Sequence, residues 1–148
     1  MNQALTATLG EVAAAMRPAR DPWWIIGSAA VALHGGSPIE VADVDVLCSV
    51  DDARALLERL GLVAIAGAHD PLFQSSVFAR WDGPPLAVEL MAGFHVRQHG
   101  AWTEVYPATR QSVQFEGGSV AVPSRAELRA LLLAFGREKD LVRARLLA

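Results

Sequence analysis

A chain of 148 residues, 52% of them hydrophobic, is long enough for one compact domain with its own core and too short for two of ordinary size. Thirteen Lys and Arg against 16 Asp and Glu leave a net charge of −3 with no basic stripe, which disfavours broad electrostatic binding to DNA or RNA. The longest apolar runs fall short of a membrane span, and residues 1–20 lack the charged start and continuous apolar core of a signal peptide, so we expect a soluble cytoplasmic protein with no membrane association.

Leu5, Leu9, Val12 and Met16 recur at helical spacing and predict an amphipathic helix over 3–16, ended by Arg17-Pro18 and Asp21-Pro22. Residues 23–26 (WWII) predict a short apolar strand. Gly27-Ser28 then turns the chain into a helix over 29–34, which Gly35, Gly36 and Pro38 break. A second strand is predicted over 41–50, and a helix from Asp51 or Asp52 through Leu60, with Leu56, Leu57 and Leu60 inward and Gly61 at its end. The sole cysteine, Cys48, cannot form an internal disulfide and reads as a small buried residue of that strand.

The middle of the chain carries more β signal. Strands are predicted over 62–65, 75–81 and 86–91, with Asp82-Gly83-Pro84-Pro85 turning between the last two. Weaker strand patterns follow over 101–106 and 112–115. Glu116-Gly117-Gly118 makes a turn before a strand over 119–122. Ser124 and Glu127 have capping-box spacing at the start of a helix from Arg125, whose apolar face is Leu128, Leu131, Leu132 and Phe135. Gly136 interrupts it before a last helical piece over 140–147. There is no repeat, linker or low-complexity tract, and the pattern is α+β.

The chemistry concentrates between residues 27 and 45. Asp43 and Asp45 are two apart on an apolar strand, so both project from one face. Two such carboxylates repel unless a cation or a proton lies between them, and a divalent metal carrying a nucleotide's phosphates meets that need. Gly27 permits close backbone approach, while Ser28 and the helix start offer donors to phosphate.

Taken together, Gly27-Ser28, the helix ending Leu33-His34-Gly35, the Asp43-x-Asp45 strand and Glu89 on a later strand resemble the nucleotidyltransferase superfamily, the polymerase-beta-like fold of minimal and antibiotic-modifying nucleotidyltransferases. Gly136-Arg137-Glu138-Lys139-Asp140-Leu141 is similar to the Arg-x-Lys-Asp-Leu ending of the branch related to abortive-infection and toxin–antitoxin nucleotidyltransferases. The resemblance implies a small mixed β-sheet flanked by helices, forming one domain over 1–148. It also implies Mg²⁺-dependent transfer of a nucleoside monophosphate from a nucleoside triphosphate to a hydroxyl of a small molecule or protein. In that reading Asp43 and Asp45 hold two Mg²⁺ ions, Glu89 completes the cluster and can deprotonate the acceptor, and Gly27, Ser28, Arg137 and Lys139 bind the nucleotide. A homodimer or a toxin–antitoxin partner would fit the same branch.

Some positions depart from the pattern. Ile39 and Val41 stand where many relatives carry a basic and a hydroxyl residue, Leu132 where a lysine is frequent, and Arg143 where an acid is frequent. These departures keep open a second reading, a catalytically inactive relative acting as a binding or regulatory module such as a toxin–antitoxin component. Plain structural roles also stand beside the chemical ones. Ser28 could be a helix N-cap, Glu89 a half-exposed surface acid, and Arg137, Lys139 and Asp140 a salt-bridged solvated turn. His95 and His99 read as surface histidines near Gly93 and Gly100, His34 as a cap on carbonyls, and Trp23 or Trp24 as core rather than a base-stacking platform. Glu104 and Glu116 are the less suitable alternatives to Glu89.

Overall fold

The computed structural model describes residues 1–66 and 70–148. Its elements run α1 (Gln3–Ala15), β1 (Trp24–Ile26), α2 (Gly27–Leu33), β2 (Asp43–Cys48), α3 (Val50–Leu60), β3 (Phe73–Gln74), β4 (Val77–Trp81), β5 (Ala87–Ala92), β6 (His95–Gln98), β7 (Ala101–Glu104), β8 (Gln111–Phe115), β9 (Gly118–Val122), α4 (Arg125–Phe135) and α5 (Glu138–Arg145). The fold is α+β. A four-stranded sheet of order β1-β2-β5-β4 carries β2 in its interior, antiparallel to β1 and parallel to β5. A three-stranded sheet, β3-β6-β7, and the β8-β9 hairpin complete the strands among the described residues.

Strand alternation gives the main sheet two unlike faces. Val44, Val46 and Cys48 of β2 join Val88, Leu90 and Ala92 of β5 in the larger core. That core includes Leu5, Leu9 and Val12 of α1, Ala29 and Val31 of α2, Leu56 and Leu57 of α3, and Leu128 and Leu132 of α4. On the other face, Leu47 and Met91 pack with Trp24, Ile26, Phe94, Val96 and Phe135 in a smaller cluster. Asp43, Asp45 and Glu89 share the alternation of Leu47 and Met91, so the carboxylates lie toward one end of this second face.

Local chemistry explains most of the helix boundaries. Asn2 caps α1 through its Oδ1, which accepts from Leu5 N at 2.7 Å. Ser49, two residues before Asp51, caps α3 by accepting from Asp52 N at 3.1 Å. The Asp52 carboxylate instead accepts from the backbone of Arg20 and Asp21, tying the α1–β1 connection to α3. At α4, Ser124 Oγ accepts from Glu127 N at 3.2 Å. The reciprocal half of the expected capping box is missing, because Glu127 is turned to Ala108 N and to the backbone N and hydroxyl of Thr109.

Other expectations are corrected here. Residues 62–66 form no strand; one backbone bond, Ile65 N to Phe78 O at 2.8 Å, is all that ties them to β4. The segment expected as one strand over 75–81 is β4 alone, with the separate short β3 before it pairing to β6. His95 lies at a strand end, as the first residue of β6, and its Nδ1 sits 2.9 Å from Gly93 O. His34 Nε2 lies 2.8 Å from Pro123 O, bridging to the start of α4 instead of capping its own helix. No helix among the described residues is long and apolar enough to cross a membrane.

Candidate functional site

Register brings the acidic residues together. β1 pairs Ile26 with Asp45, and β2 pairs Asp45 with Glu89 across the parallel ladder. Gly27, directly after β1, therefore sits over Asp45. Its φ is +68°, and a Cβ at this position would lie 2.6 Å from Asp45 Oδ2. Glycine is required twice here, for its backbone angle and for the room the carboxylate takes. Helix α2 starts at Gly27 itself with Ile26 as N-cap, so the expectation that Ser28 caps the helix is corrected: Ser28 lies inside the first turn and is buried.

Asp45 Oδ1 is sealed from solvent without a hydrogen-bond partner among the described residues. Burial, then the neighbouring charges of Asp43 and Glu89, push its carboxyl up to about 7, against the opposing pull of Arg143 and Arg137. Glu89 is also raised, by burial first and Asp43 second, with Arg80 and Lys139 acting the other way. Arg80 Nη1 lies 3.3 Å from Glu89 Oε1, and its Nε bonds Asp82 at 3.0 Å.

Asp45 and Glu89 border a cavity of about 810 Å³, whose lining does not include Asp43. Gly27, Asp45 and Glu89 line one side. Phe73, Phe78, Met91, Phe94 and Phe135 give it an apolar wall, and α5 with the residue before it contributes Arg137, Asp140 and Arg143. Asp140 is fully buried and receives Arg137 Nε at 2.6 Å, Arg137 Nη2 at 3.1 Å and Arg137 N at 3.2 Å. The Arg137 guanidinium also lies 4.8 Å from the Phe73 ring centroid. The tail motif is thus salt-bridged, as its plain reading has it, but around a buried carboxylate. Of the nucleotide-binding candidates, Gly27 and Arg137 line the cavity; Ser28 and the exposed Lys139 do not.

The oxygen-only donors Asp43, Asp45 and Glu89 suit a hard divalent cation, and the unpartnered Asp45 oxygen supplies the vacant acceptor such an ion needs. Among the described residues, no three His, Cys, Asp or Glu side chains are placed so that together they could hold a metal ion, and Glu89 is engaged by Arg80. Ile39 and Val41 pack against the larger core and do not border the cavity. Trp24 is core, while Trp23 stacks with Arg110 away from the cavity. Glu104 lies on β7 of the other sheet and Glu116 in the β8–β9 turn.

This architecture is shared with solved nucleotidyltransferases. A candidate nucleotidyltransferase from Thermotoga maritima aligns with a TM-score of 0.73 and 20% identity, over 93% of this chain and 88% of that one. The antibiotic-resistance factor ANT(2'')-Ia gives 0.63 and 15% identity, over 99% and 84%. The lincosamide antibiotic adenylyltransferase LnuA, solved with lincomycin bound, gives 0.60 and 13% identity, over 95% and 94%. No protein-family model matches the chain, and no curated protein matches it in sequence. The fold is the nucleotidyltransferase fold.

Proposed function

We propose that this protein is a Mg²⁺-dependent nucleotidyltransferase that moves a nucleoside monophosphate from a nucleoside triphosphate to a hydroxyl of a small molecule or protein. The observation that carries this reading is Asp45. Its carboxylate borders a cavity of nucleotide size near Glu89, with Oδ1 buried without a partner and Oδ2 given room by the absence of a side chain at Gly27. The fold is one on which nucleotidyl transfer is known, and the neighbour named as a lincosamide antibiotic adenylyltransferase adds weight.

Asp43, Asp45 and Glu89 are the residues that would hold the metal. Bound there, Mg²⁺ would neutralise charge developing on the phosphoryl oxygens. The chain's own groups supply the rest. Gly27 brings backbone close to the substrate's phosphates, and Arg137, fixed by Asp140 and Phe73, presents a positioned cation. Glu89, with its carboxyl raised above the ordinary range, is suited to accept a proton from the acceptor hydroxyl once it leaves Arg80.

The test is thermal shift with each nucleoside triphosphate, with and without Mg²⁺, followed by a labelled-triphosphate transfer screen against candidate acceptors and the protein itself. A metal-dependent shift that disappears in Asp43→Asn and Asp45→Asn supports the enzyme; no shift with any nucleotide sinks it. The Arg80–Glu89 pair favours a second reading, a binding or regulatory module whose third carboxylate stays occupied. That reading requires nucleotide binding without transfer to any acceptor.

A further inference from the structure

Arg143 enters the same cavity from α5, six residues beyond Arg137. Its side chain is only 23% exposed. A guanidinium carries five N–H donors and keeps its charge in any ordinary environment. Among the described residues the Arg143 side chain makes no hydrogen bond: its one ion pair, to Asp140 at 3.9 Å, is beyond hydrogen-bonding reach. Both Asp140 oxygens are already taken by Arg137. Arg143 is also the cation that acts most strongly on Asp45, ahead of Arg137, yet the Asp45 Oδ1 remains without a partner.

One cavity is therefore lined both by Asp45, whose Oδ1 has no partner, and by a largely withdrawn cation with unused donors. The two neighbouring cations are differently placed. Arg137 is committed to Asp140 and Phe73, and Lys139 stands outside the cavity. A polyanion lying between Asp45, when that residue carries a metal, and Arg143 would satisfy both ends. We propose that Arg143 is a further residue of this chain that binds the polyphosphate of the nucleotide, the one whose guanidinium is not already hydrogen-bonded to Asp140. This assignment rests on the nucleotidyltransferase reading for the identity of the polyanion, while the cation itself is read from the geometry.

The experiment is calorimetric titration of inorganic tripolyphosphate, adenosine and the four common nucleoside triphosphates, with and without Mg²⁺, into the wild type, Arg143→Gln and Arg143→Lys. The wild type is expected to bind the tripolyphosphate and at least one triphosphate. Arg143→Gln should lose about 10- to 100-fold in affinity for both, the range for hydrogen bonds to charged groups. Its affinity for adenosine should not change, a pattern that a merely structural role would not produce. Arg143→Lys keeps the charge but not the planar fork and should lose several-fold.

Undiminished tripolyphosphate affinity in Arg143→Gln overturns the assignment and leaves the proposed function standing. Should Arg143→Gln fail to fold, undiminished affinity in Arg143→Lys overturns it equally. Arg143-dependent polyphosphate binding with no nucleotidyl transfer to any acceptor supports the assignment and overturns the proposed activity alone. A wild type that binds no polyphosphate overturns both.

Discussion

Replacing Asp45 with Asn should make the metal-free protein more stable, and more so at alkaline pH. In the folded protein the Asp45 carboxyl is pushed up to about 7 from an ordinary 3.8. Between those values the unfolded chain releases a proton that the native state keeps, so stability is fully present below about 3.8 and falls as pH rises through 7. At 1.36 kcal/mol per pH unit the cost is about 2 kcal/mol at pH 5 and about 4 kcal/mol at pH 8. Asn cannot ionise and escapes both. For a chain of this length each kcal/mol moves Tm by roughly 2–4 °C, so the gain of Asp45→Asn over wild type should be about 5–10 °C larger at pH 8 than at pH 5. The assay is thermal unfolding of both proteins in chelator-containing buffer at the two pH values. Mg²⁺ should then raise the wild-type Tm at pH 8 and leave the variant unmoved. A gain equal at both pH values, or a loss at pH 8, would refute the electrostatic account of this site.

Gly27→Ala forces a side chain into a φ of +68° and against Asp45 Oδ2, so it should cost about 1–3 kcal/mol in urea unfolding and abolish any Mg²⁺-dependent nucleotide shift. Arg80→Ala should alter stability by less than about 1 kcal/mol, because Arg80 itself and its Asp82 partner are solvent-exposed. Removing a cation that holds the Glu89 carboxyl down should move the acid limb of a transfer-rate profile to higher pH. Asp140→Ala leaves Arg137 without its buried partner and should destabilise by about 2–4 kcal/mol, the lower part of the range for a broken buried pair since Arg137 is 39% exposed; denaturant unfolding with the Arg137→Ala and double variants measures the coupling.

The main sheet was legible because its strands are short, apolar and bounded by strong punctuation. WWII before Gly27, DVDVLC after the Gly-Gly-Pro stretch and AVELMA after Pro84-Pro85 each became a strand of it. The helix starting near Arg125 followed from Ser124, whose hydroxyl does cap it. Periodicity failed where no packing enforces it. Residues 62–65 carry a strand-like composition, but Val63 is 83% exposed and the segment has a single backbone bond to β4. Conversely β6 was hidden in HVRQ, because alternating charged and polar residues beside Gly93 and Gly100 look like a loop. It is a strand because β3 and β7 pair on either side of it, a tertiary fact no local window contains.

The candidate site divides along the same line. Asp43, Asp45 and Gly27 could be read locally, since i and i+2 on a strand must share a face and a glycine at a strand–helix turn invites close approach. Glu89 could be suggested only through a resemblance. What puts it opposite Asp45 is the parallel register of β5 on β2, set by apolar pairs such as Val44 with Val88 and Val46 with Leu90. The roles in the C-terminal tail depend on still longer-range geometry. Arg137 and Lys139 are two residues apart in one motif, yet only Arg137 reaches the cavity, because Asp140 is buried and draws it inward. Arg143 stood in the sequence as a departure from a pattern, and nothing local marks it as a cavity residue. One turn after Asp140 it lies on the same helix face, so the burial that fixes Arg137 also brings Arg143 to the cavity. A substitution that would read as loss of function by motif alone thus adds a cation to the cavity that Asp45 and Glu89 line.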